Sequence, residues 1–149
     1  MLRVLCAFFP SVILGYVVAV FNGTQGVLNN IAAMGVPVSI ADRTDAVLHD
    51  LIGMATIYLP LITVALLVAF LVAGLLIRWF GWPRSPLYAL GGFIAIITLH
   101  LTLDAALGLV GIAAARTLAG LLLQALGGAL GGWLFATLSK KSPVVAQNF

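Results

Sequence analysis

The sequence predicts an all-α, multi-pass membrane protein, folded as one bundle of four transmembrane helices over residues 1–149. Charged residues make up 7% of the chain and hydrophobic residues 63%, whereas a soluble domain carries about 25% charged residues. The apolar residues form long runs, such as residues 61–77, and about 20 apolar residues in a helix span a bilayer. The runs do not alternate with polar residues as the strands of a membrane barrel do, so we expect helices.

The first membrane helix is predicted over residues 4–21, an apolar run longer than the roughly 7–15 residues of a signal peptide. Residues 22–50 are the only extended polar stretch and are predicted to form an outer loop. Within this loop, Thr24 is a candidate N-cap for a short amphipathic helix that Gly35 would end. We expect this extracytoplasmic segment to rest on the membrane surface or to re-enter the bundle.

The second membrane helix is predicted over residues 51–77, and at this length it should tilt or bend. Pro60 favours a bend, because it lacks the backbone donor that a continuous helix needs. Just before this helix, two residue pairs fit a helix-starting capping pattern: Ser39 with Asp42, and Thr44 with Asp45.

The third and fourth membrane helices are predicted over residues 87–115 and 117–138. Basic residues collect on the cytoplasmic side of membrane proteins, and an N-terminus inside the cell places five of the seven basic residues there. We therefore expect both termini in the cytoplasm, in a plasma (bacterial inner) membrane. The five inner basic residues are Arg3, Arg78, Arg84, Lys140 and Lys141; Arg43 and Arg116 fall outside, with Asp42, Asp45 and Asp50.

Asp104 is the acidic residue that falls inside a predicted membrane helix. It lies 12 positions before Arg116, about 18 Å along a helix and therefore near the bilayer midplane. A charged Asp there costs about 2.5–3.5 kcal/mol, and His100, one turn earlier on the same face, can hydrogen-bond to it. Two interpretations stay open: a site for a proton, a cation or a polar substrate group, joined by Gln124, or a hydrogen bond that fixes helix register.

Small residues predict where the helices pack most closely. The third helix carries small residues opposite its polar face, so we expect it at the centre of the bundle. The fourth helix carries a glycine stripe, which lets another backbone approach closely in lipid. Its partner is left open between the third helix, a second copy of the chain and another protein. The stripe consists of Gly120, Gly127, Gly128, Gly131 and Gly132.

No motif in the sequence indicates a reaction. The chain contains no Glu, a single cysteine and no metal-ligand spacing, so we expect neither an enzyme nor a bound metal or cofactor. The scattered basic residues predict no nucleic-acid partner. We expect a non-catalytic accessory or structural subunit, partnered by lipid and by a second copy or another membrane protein. The alternative is a small proton- or cation-coupled transporter or channel that works as an oligomer with a His100–Asp104 site.

Overall fold

The computed structural model describes residues 2–107 and 117–140, and within them it is all-α with five helices. All but the second helix are long and apolar enough to cross a membrane. The expected end of the third membrane helix, Arg116 and Lys141 lie outside the described residues. The helices are α1 (Leu2–Ala33), α2 (Ile40–Gly53), α3 (Tyr58–Phe80), α4 (Arg84–Leu107) and α5 (Leu118–Leu138).

Helix α1 is longer than predicted, because it continues to Ala33 instead of ending at residue 21. The separate amphipathic helix expected after Thr24 was wrong; those residues are the last turns of α1. Polar residues do not end the helix here because they find hydrogen-bond partners on neighbouring helices. The side-chain amide of Asn22 donates to the carbonyl of Leu123 at 2.8 Å, and Thr24 is buried. Gly35, in a left-handed conformation with φ 87°, lies just past the end of α1.

The predicted second membrane helix is divided in two. Helix α2 begins at the capping box of Ser39 and Asp42 and ends at Gly53, which confirms the first of the two candidate helix starts. After a turn, α3 begins at Tyr58, so the start at residue 51 was wrong. Pro60 lies in the first turn of α3, where a missing N–H costs nothing because that turn has no intrahelical acceptor for it.

Helix α5 packs closely along both α1 and α4, while α3 lies beside α4 and, more loosely, beside α1. The closest approach on either side of α5 is made by glycine. Gly127 lies against Gly15 of α1, where a Cβ would come within 2.6 Å of the Gly15 carbonyl oxygen. Gly128 lies against Gly92 of α4, where a Cβ on either residue would overlap the other's carbonyl. The helix with the closest neighbours is therefore α5, and not the third membrane helix as expected.

Candidate functional site

Four polar side chains meet inside the bundle, one from each candidate membrane-spanning helix. We call this group the polar layer; it consists of Tyr16, Tyr58, His100 and Gln124. The ring centroids of Tyr16 and Tyr58 are 6.1 Å apart, and those of Tyr58 and His100 are 5.8 Å apart. All four side chains are buried, with Gln124 only 1% exposed.

Tyr58 lies at the middle of the polar layer and joins two of its partners. Its hydroxyl donates to Oε1 of Gln124 at 3.4 Å and lies 3.1 Å from Nε2 of His100. Because that hydroxyl has a single proton, the arrangement is satisfied when His100 carries its proton on Nε2 and donates it to the Tyr58 oxygen. Tyr16 instead donates to the backbone carbonyl of Leu51 at 2.7 Å, which holds the end of α2 against the bundle.

Nearer the start of α1 and the end of α5, four aromatic side chains form a second group. This aromatic layer consists of Phe8, Phe70, Tyr88 and Phe135, again one from each spanning helix. Phe70 stacks on Phe135 with centroids 4.6 Å apart and meets Tyr88 edge to face at 5.7 Å. All four are at most 9% exposed. The layer closes this end of the bundle with apolar surface.

The spacing along the helices places the two layers at different depths. Tyr58 and Phe70 are 12 residues apart, as are Tyr88 and His100, which is about 18 Å along a helix. His100 is 16 residues beyond Arg84, or about 24 Å of the roughly 30 Å hydrocarbon core. The polar layer therefore lies away from the end of the bundle where α4 begins.

A cavity of about 140 Å³ extends from the polar layer towards α2. Tyr58 and Gln124 line its inner end, and Thr24 and Asp50 line it further out. The Thr24 hydroxyl donates to Oδ2 of Asp50 at 2.6 Å, which ties α1 to α2 at the cavity wall. The remaining walls are mostly apolar, formed by Val20, Val27, Leu28, Ala46 and Met54. The cavity can hold a small molecule with a polar end.

The structure brings two of the three expected polar-site residues together and leaves the third apart. His100 and Gln124 both reach Tyr58, whereas Asp104 is exposed. Within the described residues, the Asp104 side chain forms no hydrogen bond with His100, contrary to the expected pairing. Asp104 lies 20 residues beyond Arg84, about 30 Å along α4 and therefore at the far end of the bundle instead of its middle.

The expected packing glycines fall on two faces of α5. Gly127 and Gly131 face α1, where a Cβ on Gly131 would come within 2.7 Å of the Ser11 carbonyl oxygen. Gly128 and Gly132 face α4, and a Cβ on Gly132 would overlap the Tyr88 carbonyl. Gly120, in the first turn, donates its N–H to the Thr117 hydroxyl at 3.1 Å. The close contacts in the structure are therefore made within one chain.

Charged groups separate between the two ends of the bundle. At one end, Arg3 donates to the carbonyl of Leu138 at 3.2 Å and Arg84 donates to Ser139 at 3.0 Å. We call this the basic end; Arg78 is in the last turn of α3 and belongs to it. The other end, the acidic end, carries the four aspartates Asp42, Asp45, Asp50 and Asp104 together with Arg43.

Asp42 has a structural role at the acidic end. The hydroxyl and the backbone N–H of Ser39 donate to its Oδ2 at 2.7 and 2.8 Å. These two hydrogen bonds stabilise the carboxylate and hold the pKa of Asp42 below its usual range. Asp42 is thus committed to starting α2, while Asp50, eight residues later, faces the cavity.

Sequence reasoning missed Tyr16, Tyr58 and Thr24 as members of this site, and it placed Asp50 at the outer surface without connecting it to a cavity. A signal for the two tyrosines was available, because a phenol inside an apolar run needs a partner for its hydroxyl. Within residues 2–107 and 117–140, no three metal-ligating side chains come close enough to hold an ion.

The four long apolar helices, the charged ends and the buried polar layer together indicate an integral, multi-pass membrane protein. The chain matches no protein-family model, and neither a curated protein nor a solved structure is significantly similar to it. Its function is therefore inferred from its own geometry.

Proposed function

We propose that the chain is a small solute-binding protein of the plasma (bacterial inner) membrane, which takes a polar solute from its acidic end into the cavity above the polar layer. The observation that carries this proposal is the cavity itself, which ends on the side chains of Tyr58 and Gln124. Ligand sites are typically concave and mostly apolar, with a few polar groups that converge on the ligand. This cavity matches that description inside a bundle that is otherwise almost entirely apolar.

The arrangement of the two layers favours a binding site that opens at one end of the bundle. It disfavours a pore that runs through the whole membrane. A pore needs a polar or hydrated path through the membrane, whereas the aromatic layer closes the basic end with four packed rings. A transporter that alternates between two openings would also show such a one-sided site in one of its states. The transport alternative is therefore kept, with Tyr58, His100, Gln124 and Asp50 in place of the His100–Asp104 pair.

We further propose that both termini lie in the cytoplasm and that the cavity opens outward. The described basic residues at the basic end are Arg3, Arg78, Arg84 and Lys140, and positive residues favour the cytoplasmic side. Arg43 is the described exception at the other end, where it donates to Gln25 at 2.6 Å.

Cysteine labelling tests the cavity and its direction. In a Cys6→Ser background, Val20→Cys places a thiol on the cavity wall, and Val12→Cys places one two turns away on α1. Both valines are buried, 2% and 3% exposed, but only Val20 lines the cavity. We expect a membrane-impermeant, positively charged methanethiosulfonate to modify Val20→Cys from outside intact cells and to leave Val12→Cys unmodified.

Three results would contradict the proposal. If Val20→Cys is unreactive, the cavity does not admit solutes. If Val12→Cys reacts equally, the bundle is open throughout and not sealed below the polar layer. If Val20→Cys reacts only in inverted vesicles, the cavity faces the cytoplasm.

A groove between α3 and α4 favours a second candidate function, that of an accessory subunit. The groove holds about 650 Å³, and small residues bring its two helices together: a Cβ on Gly91 would lie 3.6 Å from Ala69 and Ala73. Small residues on neighbouring helices let a further transmembrane helix approach closely. A complex of fixed stoichiometry with another membrane protein, measured by native mass in mild detergent, would support this candidate; a partner-free monomer or dimer would contradict it.

A further inference from the structure

We propose that the solute is a small organic ammonium ion, such as a short primary alkylamine in its protonated form, and that Asp50 is its counter-ion. This inference rests on the proposed solute-binding function and names the chemical class of the solute. It follows from the charge of the cavity wall, the oxygen atoms that line it, and its size.

The polar atoms that line the cavity favour a hydrogen-bond donor. They belong to a carboxylate on Asp50, hydroxyls on Thr24 and Tyr58, and an amide on Gln124. Each of these groups has an oxygen that can accept a hydrogen bond, and an ammonium group offers three donors and no acceptor. Among the described lining residues none is basic, so an anion would meet a carboxylate without a compensating charge.

Among the described residues, no basic side chain forms an ion pair with the carboxylate of Asp50, and a neutral group holds it in place. Thr24, a neutral donor, holds its Oδ2 at 2.6 Å. Arg43, the arginine of α2, donates instead to Gln25 at 2.6 Å. A positive ligand would therefore supply the charge that the cavity wall lacks. The other acidic residues of this end would raise the local concentration of cations.

The size and the walls of the cavity distinguish an organic cation from a metal ion. Its volume of about 140 Å³ is close to the ~150 Å³ of an apolar cavity that holds benzene, a molecule of about six non-hydrogen atoms. Calcium prefers about 6–8 oxygen ligands, several of them carboxylates, and one carboxylate lines this cavity. The apolar walls instead fit a short alkyl chain beside an ammonium head.

Protection of the Val20→Cys thiol measures binding directly. Three probes of similar size differ in charge: n-propylammonium, 1-propanol and propionate. NaCl serves as the comparison salt, and the ionic strength is held constant throughout. We expect propylammonium to slow the modification of Val20→Cys in a saturable manner, and the other two probes and Na⁺ to have little effect. The full-length protein is used throughout, in membranes or lipid nanodiscs.

Two matched variants test the role of Asp50. Asp50→Asn removes the charge and keeps an oxygen that can accept from Thr24, while Asp45→Asn removes the same charge from an exposed position on the same helix. We expect the half-protecting concentration of propylammonium to rise about tenfold or more in Asp50→Asn, as for the loss of a hydrogen bond to a charged group. Asp45→Asn should change it less than about twofold, as for a solvated surface charge.

The outcomes separate this inference from the proposed function. If Val20→Cys reacts from outside but propylammonium gives no protection, or protects no better than propanol or Na⁺, the ammonium class is wrong and the cavity remains. Equal protection in Asp50→Asn and wild type would overturn the role of Asp50. If Val20→Cys does not react at all, the solute-binding function fails as well. If Val20→Cys and Val12→Cys no longer differ in reactivity in the Asp50→Asn background, that variant is misfolded. Asp50→Glu, which keeps the charge, would then have to restore both the difference in reactivity and the protection by propylammonium.

Discussion

The aromatic layer and the polar layer are built to the same plan and differ in chemistry. Each takes one side chain from α1, α3, α4 and α5, and the members of each lie within about 7 Å of a neighbour. In the aromatic layer the contacts are between ring faces and edges, which need no partner of a particular kind. In the polar layer Tyr58 hydrogen-bonds to His100 and Gln124, and each of these bonds needs a donor and an acceptor, while Tyr16 contacts Tyr58 through its ring. One bundle can therefore hold packed rings at one end and, further along, a hydrogen-bonded polar group that borders a cavity.

The two layers should respond differently to damage. A deleted ring leaves a void that its neighbours fill only in part, and this lowers the free energy of unfolding. A deleted polar group leaves another polar group buried without its partner, which also lowers stability. In addition, we expect it to change what the cavity can bind. Substitutions that separate stability from binding therefore separate the two layers.

The largest effect should come from breaking both layers at once, with Gly92→Ala. The Cβ would overlap the backbone carbonyl of Gly128, so α4 would have to move away from α5. Backbone cannot rotate aside like a side chain, so the cost should exceed the usual ~1–3 kcal/mol of overpacking. We expect little folded protein by gel filtration in mild detergent. The control is Gly91→Ala, whose Cβ would lie 3.6 Å from its nearest neighbours; equal behaviour of the two variants would show that the glycine contact does not hold the layers.

A large effect confined to stability is expected from Phe70→Ala in the aromatic layer. Phe70 is 5% exposed and contacts the other three members of the layer. Removing it should lower the free energy of unfolding by about 3 kcal/mol, measured by tryptophan fluorescence during titration with sodium dodecyl sulfate. Phe80→Ala on the same helix, 62% exposed, should have a small effect. The reactivity of Val20→Cys should be unchanged by Phe70→Ala, and a changed rate would mean that the layers are not independent.

The smallest and most selective effect should come from one substitution made in each layer, Tyr58→Phe and Tyr88→Phe. The Tyr58 hydroxyl serves both His100 and Gln124, so its loss should cost about 1–3 kcal/mol and change the rate of Val20→Cys modification. The Tyr88 hydroxyl has no hydrogen-bond partner in the described part of the chain, and its loss should change neither quantity measurably. Similar results for both variants would remove the distinction between the layers.

Much of this fold could be predicted from the sequence because hydropathy reports burial in lipid directly. The four long apolar helices and the capping box of Ser39 and Asp42 follow from local composition and spacing. The break before Tyr58 does not, because residues 54–57 stay mostly apolar through the turn and hydropathy cannot detect a turn. The role of Thr24 was mistaken for a related reason: a threonine hydroxyl can cap a helix or bond elsewhere, and here it donates to Oδ2 of Asp50 on α2.

The site was harder to predict because it is assembled between helices. His100 and Gln124 were visible as polar residues in apolar surroundings, but their shared partner, Tyr58, depends on how α3 faces α4 and α5. Asp104 was placed at mid-membrane by counting back from Arg116 along an assumed helix. Counting forward from Arg84 along the observed α4 places it about 30 Å away. Taking a different end of the helix as the membrane surface therefore changes the apparent depth of this carboxylate by roughly half a bilayer.

The separation of charge between the two ends also has a consequence for the energised cell. A living plasma membrane is electrically negative inside, and each elementary charge that crosses it exchanges about 2.3 kcal/mol per 100 mV. In the proposed orientation, with Arg3, Arg78 and Arg84 inside and the aspartates outside, this voltage would act on both groups in the same sense and favour that orientation over the inverted one. An inverted copy would have several charges of each sign on the unfavourable side. The field that drives cations inward would thus also favour the orientation in which the mouth of the cavity meets them.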